Sequence, residues 1–224
     1  MSDPHDLVWY AAYGSNLLSE RFAYYLEGGE LPDVPIRHPG ARDAREPQAD
    51  RAVLLQAQLV FTRKSAAWGG GIAFLDVERT EAVTWGRAWL ITREQFEDVL
   101  RQENGDAGIV IDWDKLLSRG RDQYGTGWYN AVRILEADRE GYPLLTCTAA
   151  GALGRPRAPG ENYLGTIIAG LVETYNLGRK GVVDYLSQVP GISPRWSKGA
   201  LGRMWQEVID ADQADANESD TERN

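Results

Sequence analysis

Residues Leu7–Ala12 are uniformly apolar or aromatic, as in a strand buried on both faces, and Leu18, Phe22, Tyr25 and Leu26 then recur at helical spacing until Gly28 and Gly29. Between them Tyr13-Gly14-Ser15-Asn16-Leu17 predicts a tight strand-to-helix turn in which Ser15 or Asn16 caps the helix. Further on, Gln56 and Gln58 alternate with Leu55, Ala57, Leu59 and Phe61, the period of a strand with one wet face. The runs 71–75 and 82–90 are expected to be strands paired antiparallel across the charged link 76–81. Thr92 and Gln95 form a capping box ahead of a short amphipathic helix through Phe96, Val99 and Leu100. The runs 129–136 and 142–148 flank the polar turn 137–141 and predict a second hairpin. Residues Tyr163, Leu164, Ile167, Ile168, Leu171, Val172 and Tyr175 give the strongest helical stripe, followed by shorter helices near 182–189 and 198–209. No internal repeat stands out. Short strands with a few helices predict one α+β domain whose small, mostly antiparallel or mixed sheet curls into a β-barrel flanked by helices.

The turn after the first strand carries the candidate chemistry. Amide groups at the start of the helix, aided by the helix dipole, suit a small molecule bearing a carboxylate, although a plain strand-to-helix connection has the same letters. Other segments extend the pattern. In order they are AWGGGIAF (67–74), VTWGRAWL (83–90), TREQFEDVLRQENG (92–105), GWYNAV (127–132) and APGENYLGTIIAG (158–170). With the opening YGSNL followed by Ser-Glu-Arg, these segments resemble the gamma-glutamylcyclotransferase family over roughly residues 7–190.

The resemblance implies an enzyme that closes a gamma-glutamyl amino acid, peptide or amine into 5-oxoproline and releases the amine, with no cofactor. It makes Glu103 the general acid and base, and Tyr13, Gly14, Ser15, Asn16, Leu17, Tyr129 and Tyr163 the substrate-binding residues. Ring closure needs no protein nucleophile, because the substrate's own α-amine attacks the γ-carbonyl. One carboxyl group can carry the proton from the α-ammonium to the leaving nitrogen. Glu94, Glu97 and Asp98 share the helix of Glu103 and read as dipole partners and a wet face. The acid is followed by Asn104-Gly105 instead of an immediate glycine, and the Pro-rich approach to Tyr163 reads Ala158-Pro159-Gly160-Glu161-Asn162; both depart from the family pattern. The stretches 28–52 and 104–126 read as insertions, the second either a lid or specificity wall over the pocket or a surface excursion. A non-catalytic carboxylate-binding or interaction module on the same fold is the alternative, and amine transfer lacks an activated nucleophile.

Composition narrows the field. The chain has 224 residues, 43% of them hydrophobic, enough for one sizeable core. Its net charge of −9 lies mostly beyond residue 206, where seven acidic residues face one arginine. Residues 1–206 are therefore expected to form the domain and 207–224 a disordered acidic tail. Arg37, Arg42, Arg45 and Arg51 are interleaved with Asp43, Glu46 and Asp50, a solvated loop instead of a basic stripe, so a nucleic-acid partner is not expected. The absence of a long apolar run or leader predicts a cytoplasmic protein without a membrane partner. A homodimer stays open.

The single cysteine, Cys147, reads as a buried small side chain, and two histidines, His5 and His38, do not make a His-rich metal or haem site. No G-x-S-x-G elbow, phosphate loop or dinucleotide fingerprint is present, and Gly69-Gly70-Gly71 reads as a bulge or close backbone approach.

Overall fold

The structure is a computed structural model that describes residues 6–31, 34–105, 107–137 and 141–222, with side chains in the last helix described to residue 214. His5 and most of the turn 137–141 lie outside the described residues. In chain order the elements are β1 (Leu7–Ala12), a 3-10 turn (Ser15–Leu17), α1 (Ser19–Glu27), β2 (Gly29–Glu30), β3 (Arg37–His38), β4 (Ala49–Leu55), β5 (Gln58–Ser65), β6 (Gly70–Asp76) and β7 (Thr84–Thr92). There follow α2 (Arg93–Asn104), α3 (Trp113–Arg119), β8 (Arg121–Gln123), β9 (Ala131–Ala137), β10 (Pro143–Thr148), α4 (Glu161–Tyr175), α5 (Arg179–Leu186) and α6 (Lys198–Glu222).

Six strands form one mixed sheet in the order β4-β7-β1-β10-β9-β8. The fully apolar β1 lies inside it, antiparallel to β7 and parallel to β10. Alternation along β1 splits the core in two. Val8, Tyr10 and Ala12 face Phe22, Phe96 and Val99 of α1 and α2, whereas Trp9, Ala11 and Tyr13 face the layer that holds Phe61, Phe74 and Ile167.

The α+β class stands, but no closed barrel is found among the described residues. The expected strand across 55–61 is broken at Gln56 and Ala57, where the Ala57 amide turns back onto the Leu55 carbonyl at 2.8 Å. That turn lifts β5 and β6 off the sheet as a separate two-stranded hairpin. The expected pairing of 71–75 with 82–90 is accordingly replaced: β6 pairs with β5, and β7 pairs with β1 and β4. The Thr148 hydroxyl, bonded to both N and O of Leu75, ties β6 to the end of β10 where a further strand ladder would close a barrel. Close approach at the glycine run is present: a Cβ on Gly71 would overlap the Arg157 carbonyl oxygen.

The capping box at Thr92 and Gln95 forms as expected, and so does the β9–β10 hairpin. The helix expected at 182–189 runs Arg179–Leu186. Helix α6 runs Lys198–Glu222, so the boundary expected at 206–207 falls inside it. Its alanines and charged residues favour helix over strand once the packed first turns, with Leu201 and Met204 buried, supply a nucleus. Among the described residues no helix is long and apolar enough to cross a membrane.

Candidate active site

A cavity of about 380 Å³ opens where the end of β1, the 3-10 turn, α1 and the end of α2 meet. The turn differs from the expected cap. Leu18, in extended conformation, is the N-cap of α1 and makes no side-chain cap bond, so neither Ser15 nor Asn16 caps that helix. Instead Ser15–Leu17 closes its own 3-10 turn, with the Leu17 amide on Gly14 O at 3.1 Å and the Leu18 amide on Ser15 O at 3.2 Å.

Strand β7 sets the direction of the turn. Trp89 Nε1 donates to Asn16 O at 2.9 Å, and Arg87 donates to Leu17 O at 3.2 Å while its guanidinium is held by Asp50 and Glu173. With those carbonyls engaged, the amides of Gly14, Ser15 and Asn16 have no acceptor among the described residues, and all three residues line the cavity. Leu17, by contrast, has its amide consumed and its side chain in the core, so it offers the cavity no donor. Gly14 allows the close approach of Tyr163, whose hydroxyl would meet an added Cβ at 3.0 Å.

Glu103 occupies the last turn of α2, and the departure at Asn104 has a structural answer. Gly105 takes the left-handed C-cap with φ 60°, and Asn104 Nδ2 donates to Leu100 O at 2.8 Å and Tyr129 O at 3.2 Å, which fastens the helix end to the cavity rim. Glu103 Oε1 accepts from Tyr25 Oη at 2.7 Å and from Asn16 Nδ2 at 3.3 Å, whereas Oε2 has no partner among the described residues. Burial raises the carboxyl pKa above the usual glutamate range, partly offset by the Tyr25 bond, the nearby Arg21 charge and the Asn16 bond. Glu97 and Asp98 lie elsewhere, in a network with Arg42 and Arg101, and Glu94 also pairs with Arg42.

The three tyrosines named from the sequence all line the cavity, but their hydroxyls are bound to backbone. Tyr13 donates to Cys147 O at 2.8 Å, Tyr129 donates to Ala73 O at 2.8 Å, and Tyr163 accepts from Ala73 N at 3.2 Å. Burial raises the pKa of all three, that of Tyr163 to about 12, so they stand as neutral walls that brace β6 and β10. Cys147 also lines the cavity and is buried, its thiol pKa raised by burial and by the Glu103 charge, which keeps it from acting as a thiolate.

Four side chains important to the site were not singled out from sequence as functional. Tyr25 is the donor to Glu103, and Tyr10 accepts from Asn16 Nδ2 at 3.2 Å. Arg21 is 3% exposed, and its guanidinium carbon stands 4.7 Å from the Tyr25 ring centre; its Nε and Nη1 are buried without a hydrogen-bond partner. The signal was present: Arg21 stands three residues after Leu18 and four before Tyr25, a charged residue on the apolar stripe of α1. His38, from β3, contributes a further orphaned atom, Nε2.

The stretch 104–126 is neither the lid or specificity wall nor the surface excursion that the sequence left open. Asn104 reaches the cavity, but Ile109, Ile111 and Leu116 are buried in the core beneath α2, so the stretch supports the helix that carries Glu103. The other stretch read as an insertion, 28–52, does reach the cavity through Ile36 and His38. Among the described residues no group of three or more His, Cys, Asp or Glu side chains could hold a metal ion.

No protein-family profile matches the chain. Histone deacetylase 5 of Arabidopsis thaliana is 30% identical over 206 residues, which cover 81% of this chain and 30% of that protein, so the chain spans about a third of its length. Solved structures similar to this chain include an uncharacterized human protein (19% identity, 82% of this chain and 88% of the other covered, TM-score 0.49) and a gamma-glutamyl cyclotransferase (19% identity, 82% and 88% covered, TM-score 0.48).

Proposed function

We propose that the chain is a gamma-glutamyl cyclotransferase, converting a gamma-glutamyl amine, amino acid or peptide into 5-oxoproline and the free amine. The observation that carries this reading is the juxtaposition, in one cavity, of a raised-pKa carboxyl with an open Oε2, a buried guanidinium with unpaired donors, and three free amides. An α-amino acid head carries a carboxylate and an ammonium, and the cavity offers partners for both. Arg21 suits the α-carboxylate, being a fork of donors with a full charge. The orphaned Asn16 Oδ1 and Glu103 Oε2 suit the ammonium.

The reaction needs little else. Glu103 takes a proton from the α-ammonium through Oε2, and the freed nitrogen attacks the γ-carbonyl carbon to form the carbon-nitrogen bond of the five-membered ring. The carbonyl oxygen becomes an oxyanion, for which the Gly14, Ser15 and Asn16 amides are the available donors. As the intermediate collapses, the bond to the leaving nitrogen breaks and that nitrogen receives the proton held by Glu103. The ring nitrogen then gives its surplus proton to the freed carboxylate, which passes it to the departing amine; the products are the neutral lactam and an ammonium, and the carboxylate is regenerated. The raised pKa brings the acid nearer to neutrality, where one group serves both transfers best.

The test is 5-oxoproline release from a panel of gamma-glutamyl amino acids, peptides and amines, with the native chain beside Glu103→Gln. Release by the native chain alone supports the reaction and the role of Glu103. Equal release by both removes Glu103 from the mechanism. Binding of the panel without release by either protein would mark a carboxylate-binding module in place of an enzyme.

A further inference from the structure

The β2–β3 hairpin lies within the inserted stretch 28–52 and places His38 in the cavity wall, only 6% exposed and with its ring centre 4.3 Å from that of Tyr25. The hydrogen-bond network fixes its tautomer. Gln102 Nε2 donates to Tyr25 O at 2.8 Å and Gly40 O at 3.3 Å, so the atom facing His38 Nδ1 at 3.0 Å is the acceptor Oε1. Nδ1 therefore carries the hydrogen. Nε2 is left as a lone pair, buried and without a partner among the described residues. Converting it to a donor requires protonation, which burial and the Arg21 charge oppose, lowering the pKa to about 4. At Nε2 the imidazole is an acceptor and nothing else.

The glutamyl head is already provided for by Arg21, Asn16, Glu103 and the turn amides, so the amine half of the substrate is what remains to meet His38; this step rests on the reaction proposed above. We propose that His38 selects gamma-glutamyl substrates whose amine half presents a neutral hydrogen-bond donor, such as an amide N–H or a hydroxyl, over those that present a free carboxylate there. A donor would satisfy the orphaned Nε2, whereas a carboxylate would set lone pair against lone pair and leave both groups desolvated and unpaired. The selectivity belongs to the insertion, since neither the turn nor α2 supplies this side chain.

Binding in a turnover-free background tests it. Gamma-glutamyl-alanine and gamma-glutamyl-alaninamide differ only in carboxylate against amide, and calorimetry on Glu103→Gln gives their affinity ratio. The expected ratio is about tenfold or more in favour of the amide, the difference between one satisfied and one unsatisfied buried acceptor. Adding His38→Phe, which keeps a ring against Tyr25, should bring the ratio to within about threefold, because the acceptor is gone. His38→Gln, whose amide also offers donors, should lower the ratio as well. A ratio near one with His38 present overturns the inference, and so does a ratio that both substitutions leave unchanged. Equal weakening of both ligands would assign His38 to the glutamyl head or to the fold, and also overturns it. If the parent protein binds neither ligand and the native chain releases no 5-oxoproline, the reaction itself fails; release with a flat ratio sinks only the role of His38.

Discussion

Replacing Arg21 by Met should separate stability from function in opposite directions. Arg21 is 3% exposed and makes no ion pair among the described residues; two of its nitrogens have no hydrogen-bond partner. Each buried unpaired donor costs about 1–3 kcal/mol, and the packing of the guanidinium over Tyr25 returns about 0.5–2 kcal/mol. Met has similar reach and no donors, so Arg21→Met is expected to leave stability unchanged or raise it by about 1–3 kcal/mol in urea unfolding. Ligand binding should move the other way. Two charge-assisted bonds to a substrate carboxylate are worth about 3–5 kcal/mol together, so calorimetry should show gamma-glutamyl ligands bound at least about a hundredfold more weakly. Loss of the Arg21 charge also removes one of the influences that lower the Glu103 pKa, so the acidic limb of any pH-rate profile should shift upward. A variant that lost about 2 kcal/mol or more of stability while keeping its ligand affinity would show that the guanidinium is a structural element and refute the assignment.

Glu103→Gln should stabilise the protein at neutral pH. The folded-state pKa of Glu103 is raised, so the native chain is stabilised by protonation below the unfolded value and loses that contribution as pH rises through the folded value; the gain from Gln should therefore shrink to nothing as the pH falls to about 4. Urea midpoints across pH 4–8 check the sign. Gly170→Ala should disturb the turn from behind, because a Cβ there would meet Leu17 Cβ at 2.5 Å and Leu18 N at 2.6 Å; a destabilisation of about 1–3 kcal/mol with weakened ligand binding is expected. Leu116→Ala tests the status of the stretch 104–126: as a buried side chain under α2 it should cost about 2–5 kcal/mol in equilibrium unfolding, whereas a detached lid would lose almost nothing.

Much of the local structure was legible along the chain. The apolar run of β1, the box at Thr92 and Gln95, and the stripe of α4 are short-range patterns, and each formed where its own residues placed it. The nearness of Glu103 to the YGSN turn followed from resemblance, and the two meet through Asn16 Nδ2. Tertiary structure decided everything that depends on partners distant in sequence. Strand pairing is one case: 71–75 and 82–90 are sequence neighbours, yet a two-residue turn at Gln56 and Ala57 sends β6 to β5, and no local period encodes that choice. Hydroxyl function is another: Tyr13, Tyr129 and Tyr163 line the cavity, yet Tyr13 and Tyr129 donate their hydroxyls to carbonyls of β10 and β6, and Tyr163 accepts from the Ala73 amide of β6. Arg21 and His38 complete the contrast: their significance comes from atoms left without a partner, a property that exists only once every other donor and acceptor has been placed. Periodicity and capping are written in neighbouring residues, because they depend on contacts one turn or one pleat away. Burial, tautomer and pKa depend on what the folded chain brings to the same place.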